Sequence, residues 1–180
     1  KAKRKNGSVI VSIYINPKQF NSKYDFKNYP RNINRDIKIL KKLKVDYLYA
    51  PNYKDVFSFN TKNKVYLDKF SKQLCGKFRK SHFKGVLNVV NRLLEIIKPK
   101  AIILGKKDFQ QLILIKKHIQ KNYIPTKVIS CKTIRENNGV ACSSRNKNLS
   151  ANEMSNASKV FMYLKKNKFK KLNLIKIKDK

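Results

Sequence analysis

Apolar positions along the chain alternate between short continuous runs and stripes at helical spacing. Val9, Ile10, Val11, Ile13, Tyr14 and Ile15 follow one another almost without a polar break, which predicts a strand over residues 8–15 buried on both faces and ended by Asn16-Pro17. A polar loop containing aromatics follows over 18–30. Ile33, Ile37 and Leu40 recur at helical spacing and predict an amphipathic helix over 31–43. The next strand is 45–50, stopped by Pro51. Residues 52–64 read as a surface excursion, 69–74 as a short helix closing near Gly76, and 78–85 as a basic loop. The clearest helix comes next, with Val86, Val89, Val90, Leu93, Leu94 and Ile97 on one stripe and Pro99 past its stop. A strand at 101–104 then leads through Gly105 into a helix reaching about Gln120, with Leu112, Ile115 and Ile119 inward, and a further strand spans 126–130.

This β-loop-α-β order predicts an α/β fold with a parallel sheet. The alternation ends near Thr133, so the expected division is a nucleotide-binding α/β domain over 1–132 and the start of a second, smaller domain over 133–180. Within the latter, Asn138-Gly139 signals a turn. Ser150 with Glu153 has capping-box spacing before a helix, and 168–180 is a basic end.

Composition narrows the classes. The 180 residues can bury one good core, and a hydrophobic content of 41% marks a globular chain. No apolar run approaches the roughly 20 residues that a bilayer span requires, so no membrane role is expected. No secretion signal is visible, and a first residue that is lysine suggests a piece of a longer protein. The net charge of +34 raises nucleic-acid binding as an alternative function. The lysines are nevertheless dispersed over every expected element rather than gathered beside aromatics, and compositional drift toward Lys, Asn and Ile explains them as well. Either way the charge steers anionic substrates. Cys75, Cys131 and Cys142 have no metal-ligand spacing, and an odd count fits a reducing cytoplasm.

Four stretches carry candidate chemistry. Gly105-Lys106-Lys107-Asp108-Phe109-Gln110-Gln111 lies between a strand and a helix, the geometry that presents backbone N–H groups to a phosphate. Two lysines facing the positive pole of a helix are electrostatically wrong unless an anion lies between them. A structural alternative has Asp108 capping the helix with Gln111 closing a capping box. Asn16 and Gln19 follow the carboxyl end of a strand, where open α/β sheets bind ligands, although a plain strand-ending turn is the simpler account. Arg79, His82 and Lys84 precede a helix and could line an anion pocket, or lie in a solvated loop. Ser143-Ser144-Arg145-Asn146 offers hydroxyl donors and a cation able to fold over a triphosphate; the alternative is an ordinary polar turn.

In this order the stretches resemble the pantothenate synthetase (pantoate–β-alanine ligase) family. The resemblance rests on Val11-Ser12-Ile13-Tyr14-Ile15-Asn16-Pro17-Lys18-Gln19-Phe20, on Asp25-Phe26-Lys27-Asn28-Tyr29-Pro30-Arg31 and on Arg79-Lys80-Ser81-His82-Phe83-Lys84-Gly85-Val86. It continues through Gly105-Lys106-Lys107-Asp108-Phe109-Gln110-Gln111-Leu112, Thr133-Ile134-Arg135-Glu136 and Ser143-Ser144-Arg145-Asn146. Other adenylyl- or cytidylyltransferases fit the Gln-Gln-Leu and Asn-Pro-x-Gln-Phe pieces worse.

The resemblance implies a Rossmann-like parallel sheet of the nucleotidyltransferase superfold with a small, partial C-terminal α+β lid. It also implies two chemical steps. The pantoate carboxylate attacks the ATP α-phosphate to give pantoyl adenylate and pyrophosphate. The β-alanine amine then displaces AMP, with Mg²⁺ assisting. Carried over by position, Gly105, Lys106, Lys107, Asp108 and Ile134 would contact ATP. Cys142, Ser143, Ser144 and Arg145 would form a loop that closes on its phosphates. Gln19 and Gln111 would hold pantoate, with Asn16, Arg79 and His82 nearby. Lys107, Arg145, Ser143 and Ser144 are the residues expected to act in catalysis, by positioning and charge neutralisation rather than through a covalent intermediate. No protein metal ligands are implied; a cytoplasmic homodimer is. The family's His-x-Gly-His portion has no counterpart in this sequence, so the chain alone is expected to show little ligase activity.

Overall fold

The computed structural model describes residues 7–20 and 22–167; the basic end expected at 168–180 lies outside them. The chain divides into two compact units, Lys1–Lys132 and Thr133–Lys180.

In the first unit, β1 (Ile10–Ser12) is followed by α1 (Lys23–Asn28), α2 (Ile33–Lys42), β2 (Tyr47–Tyr49), α3 (Tyr53–Phe57), α4 (His82–Ile97), β3 (Ala101–Gly105), α5 (Phe109–Lys121) and β4 (Lys127–Cys131). All strand pairing among the described residues in this unit is parallel, as the βα alternation requires, but it forms two separate pairs. β1 lies against β2 in the register Ile10 to Tyr47, and β3 against β4 in the register Ala101 to Lys127.

The core sits over the second pair. Phe83, Val86, Leu87 and Leu94 of α4 meet Leu114, Ile115 and Ile119 of α5, with Ile102, Leu104 and Val128 packed against them from β3 and β4. The stripe read from sequence is therefore the buried face of α4, widened by Leu87, which is fully buried and contributes about 2 kcal/mol.

Four expectations need correction. The polar loop expected over 18–30 contains α1, which Ser22 caps by accepting from the Tyr24 and Asp25 N–H groups. The strand expected to be buried on both faces is short, and Ile10 within it is 43% exposed; the core cluster is built on α4, α5, β3 and β4 and includes no residue of β1. The supposed excursion over 52–64 is anchored: it contains α3, whose Val56 is fully buried. The basic loop at 78–85 is shorter than expected, since α4 already begins at His82.

Polar side chains of α4 and α5 hold that anchored segment. Arg92 donates to the carbonyls of Val56 and Phe59, and the Glu95 carboxylate accepts from the Lys62 and Asn63 N–H groups. Below them His118 is completely buried. Its Nδ1 accepts from the Tyr66 N–H at 3.1 Å, which puts the ring proton on Nε2, and Nε2–H donates to Asn91 Oδ1 at 3.0 Å. Asn91 passes the chain on by donating to the Asn63 carbonyl at 2.8 Å.

Burial pushes the His118 pKa down, so the folded chain keeps the imidazole neutral while the unfolded chain protonates it near its ordinary value. The stability this preserves is complete above about pH 6.5 and is lost as pH falls below it toward the depressed folded value. The urea midpoint is therefore expected to fall between pH 7.5 and pH 5.5 at about the rate of one or two protons per molecule, since His82 is shifted the same way. His118→Gln should flatten that slope. A slope unchanged by the substitution would show that His118 is not responsible.

The second unit is an antiparallel bridge between Arg135 and Ala141 followed by α6 (Ala151–Lys166). The turn between the bridged residues is the one expected at Asn138-Gly139. Gly139 adopts φ +88°, and a Cβ there would strike the Phe161 ring. The Ser150–Glu153 capping box also forms as expected.

Candidate functional site

Helix starts separate into two kinds. Ser22, Asn32, Asn52 and Ser150 cap α1, α2, α3 and α6 with their side chains, and the last two starts form complete capping boxes. α4 and α5 begin with neither a side-chain cap nor an acidic residue in the first turn. Neither helix start is therefore closed by a side-chain cap, although Asp108 stands at the cap position of α5 and the His82 N–H of α4 donates to the Arg79 carbonyl at 3.2 Å.

The start of α5 is set by β3. The strand ends at Gly105, a single 3₁₀ turn of Lys106–Asp108 follows, and the helix proper begins at Phe109. The capping box of the structural alternative is not formed. Asp108 stands at the cap position with φ −94° and ψ 60° rather than in the extended conformation that aims a cap side chain at the helix N–H groups. Gly105, Lys106, Lys107 and Asp108 are exposed, and Gln111 is half-buried.

The adjacent Gln110 turns inward instead. Its amide donates to the carbonyls of Phe70 and Gln73 at 2.8 and 2.7 Å and accepts from the Cys75 thiol at 2.8 Å. Asp68, paired with Lys117 at 2.9 Å, fastens the same segment to α5. The Phe70 N–H bond and then Lys117 hold its carboxyl below the usual range.

The start of α4 is set by the turn after β1. Ser81 precedes the helix in the left-handed region with φ 63°. Asn16 is almost wholly buried; its amide donates to the Gly85 carbonyl at 3.0 Å and accepts from the Lys18 N–H at 3.2 Å. Pro17–Gln19 form a 3₁₀ turn lying on α4, and the Lys18 ammonium lies over the Phe57 ring at 5.0 Å. His82 Nδ1 donates to the Gln19 carbonyl at 2.6 Å, with Arg79 donating to the same oxygen at 3.4 Å.

Burial is the main reason the His82 pKa is lowered, and the Arg79 charge adds to it. The Gln19 bond and the Asp108 carboxylate oppose it. Asn16, Gln19, Arg79 and His82 thus gather at α4, while Gly105, Lys106, Lys107, Asp108 and Gln111 gather at α5.

The remaining sequence candidates belong to the second unit. The Cys142 N–H donates to the Ile134 carbonyl at 3.0 Å, and Ile134 itself is largely exposed. Ser143 Oγ accepts from the Arg145 N–H at 3.3 Å and so shapes the turn that carries Ser144 and Arg145. That turn is tied down by Asn146, whose amide donates to Glu136 Oε1 at 2.5 Å and to the Ala141 carbonyl at 3.1 Å. Asn146, Glu136, Gln110 and Gly85 are supporting residues to which sequence spacing assigned no role. Gly85, read as the end of the basic loop, was the one available signal, because a glycine can mark a close backbone approach.

Comparison with known proteins bears on this arrangement. A family model described as Pantoate-beta-alanine ligase matches residues 1–179. A pantothenate synthetase of Francisella tularensis subsp. novicida is 42% identical over 173 residues, covering 96% of this chain and 66% of that protein. A pantothenate synthetase of Francisella philomiragia is 42% identical over 170 residues, covering 94% of the chain and 65% of the relative. The chain therefore spans slightly less than two thirds of the length of these relatives. Among solved structures, the Francisella tularensis pantoate-beta-alanine ligase in complex with beta-gamma ATP and beta-alanine matches with a TM-score of 0.86 at 42% identity, over 95% of this chain and 66% of that one. A pantothenate synthetase from Thermus thermophilus matches with a TM-score of 0.84 at 32% identity, over 91% and 59% respectively. The nucleic-acid reading of the +34 charge gains no support from these relatives.

Proposed function

This chain belongs to the pantoate-beta-alanine ligase family, and on that premise we propose that it carries binding and catalytic groups for the ATP-dependent condensation of pantoate with β-alanine. The route is two-step, through pantoyl adenylate with release of pyrophosphate and then of AMP. The observation that carries this reading is the seating of the Asn16–Gln19 turn on the start of α4, together with the strand–Gly105–helix turn that leaves Lys106, Lys107 and Asp108 exposed after β3. A site built from exposed N–H groups and lysines on one side and amides on the other suits a nucleotide triphosphate beside a hydroxy acid.

In this proposal Gly105, Lys106, Lys107 and Asp108 contact ATP, and Lys107 neutralises charge that develops on the α-phosphate as the pantoate carboxylate attacks. Gln19 and Gln111 orient pantoate, so that one helix start addresses both reactants. In the second unit, Ile134, Cys142, Ser143, Ser144 and Arg145 are proposed as further ATP contacts, with Arg145 supplying charge and the serines hydrogen bonds. Among the described residues no group of three His, Cys, Asp or Glu side chains could hold a metal. Mg²⁺ is therefore proposed as part of the ATP substrate, carried on phosphate oxygens.

No helix among the described residues is long and apolar enough to cross a membrane. A cytoplasmic location, where ATP is supplied, and a homodimeric assembly complete the proposal; sedimentation would read the latter.

The deciding experiment measures pyrophosphate release from ATP with and without pantoate, and ATP binding by calorimetry, using the Francisella tularensis enzyme as control. Pantoate-dependent release, or ATP binding tightened by pantoate, supports the reading. Binding of neither ligand would overturn it.

A further inference from the structure

We propose that His82 is a positioning residue for the acid substrate, which it serves by fixing the backbone of Gln19 through Nδ1–H rather than by touching the substrate. The proposal rests on the reading above that Gln19 orients pantoate.

A carbonyl oxygen can only accept, so the 2.6 Å contact between His82 Nδ1 and the Gln19 carbonyl requires the proton on Nδ1. In the neutral ring Nε2 is then bare. His82 is only 7% exposed and its ring meets Phe83 edge-on at 4.9 Å, so it has little freedom to swing toward a ligand.

The turn it holds is fastened at two more points on the same helix. Asn16 donates to the Gly85 carbonyl at 3.0 Å, and the Gly85 backbone lies directly against the Lys18 carbonyl. The Gln19 N–H donates to the Asn16 carbonyl at 3.2 Å. The peptide groups on both sides of the Gln19 Cα are thereby bonded, and the direction in which its side chain leaves the turn is set by α4. The His82 bond to the Gln19 carbonyl, at 2.6 Å, is much shorter than the 3.4 Å contact that Arg79, ahead of α4, makes to the same oxygen.

The two isosteres of histidine separate positioning from substrate contact. The amide nitrogen of asparagine falls near Nδ1, and that of glutamine near Nε2. His82→Ala is expected to weaken pantoate binding at least about 10-fold while leaving ATP binding within about 2-fold. His82→Asn should restore pantoate binding, and His82→Gln should not. Amide exchange at Gln19 and Phe20 should rise about 10-fold in His82→Ala and return in His82→Asn. Long-range ¹⁵N–¹H spectra of the full chain should show a protonated Nδ1 and a bare Nε2 for His82.

Rescue by His82→Gln instead, or a proton found on Nε2, would assign the ring to the substrate and overturn the proposal. Unchanged exchange at Gln19 would also overturn it. If the alanine variant does not fold, the asparagine–glutamine contrast carries the same decision. If the parent chain binds no pantoate while tautomer and exchange behave as stated, the role of Gln19 fails and the fastening by His82 stands.

Discussion

Replacing Lys107 by alanine is expected to reduce pantoate-dependent pyrophosphate release about 100-fold or more, the usual consequence of removing one charge-stabilising donor from a transition state. The expectation has a second half that makes it diagnostic. Lys107 lies in the 3₁₀ turn immediately before α5, facing the positive end of a helix that has no side-chain cap and no acid in its first turn. A cation there works against the helix dipole by a few tenths of a kcal/mol to about 1 kcal/mol. Its removal should therefore cost activity far more than it changes thermal stability. A residue kept for folding would show the opposite. The measurement is turnover and melting temperature on the same preparation, with ATP affinity read in parallel by calorimetry so that a chain of low turnover still gives an answer. Loss of stability with intact ATP affinity would remove Lys107 from the mechanism.

The second large effect is expected from Gly85→Ala. By helix propensity alone this change is favourable by about 1 kcal/mol, since glycine is the poorer residue in a helix interior. Packing decides the other way. A Cβ at Gly85 would sit 2.4 Å from the Lys18 carbonyl oxygen and 3.2 Å from the Gln19 nitrogen, both backbone atoms that cannot rotate aside. The turn must retreat from α4 by about 1 Å, which costs roughly 1–3 kcal/mol of stability as an overpacked contact does. The same retreat stretches the Asn16–Gly85 and His82–Gln19 hydrogen bonds together. A misplacement of that size in a substrate-orienting residue is worth about 100-fold in turnover. Pantoate affinity should fall far more than ATP affinity, because α5 and its lysines are not displaced. A more stable Gly85→Ala protein with full pantoate affinity would show that the turn does not depend on this close approach.

Part of the site was readable because it is local. Strand, glycine and helix start at Gly105–Phe109 follow from an apolar run, a turn residue and a helical stripe, and the dipole argument for Lys106 and Lys107 needs nothing beyond their order. The Ser150–Glu153 box and the Asn138-Gly139 turn are likewise settled within a few residues, and both stand in the structure. The α4 stripe identified its buried face for the same reason.

What the local pattern could not supply was pairing between distant segments. Val9–Ile15 has the composition of a doubly buried strand, yet Ile10 remains 43% exposed, because burial depends on which elements pack over a strand and not on its own sequence. Asp108 and Gln111 have the spacing of a capping box. The 3₁₀ turn ahead of α5 sets the Asp108 backbone so that the box does not close.

The sequence by itself determined the order of the strands and longer helices, though not the short α1 and α3, and it determined the two candidate anion-binding segments and the family resemblance, since these lie in residues close along the chain. Only the tertiary structure decided that Asn16 and His82 spend their polar atoms on α4 and on the Gln19 backbone, and that Gly85 is required for contact. It also decided that the Asp108 carboxylate, 26 residues from His82 in the sequence, acts on the His82 ring against the effect of burial. The physical reason is range: propensity, capping and dipoles act within a turn or two, whereas burial and long-range hydrogen bonds exist only once the chain has brought distant residues together.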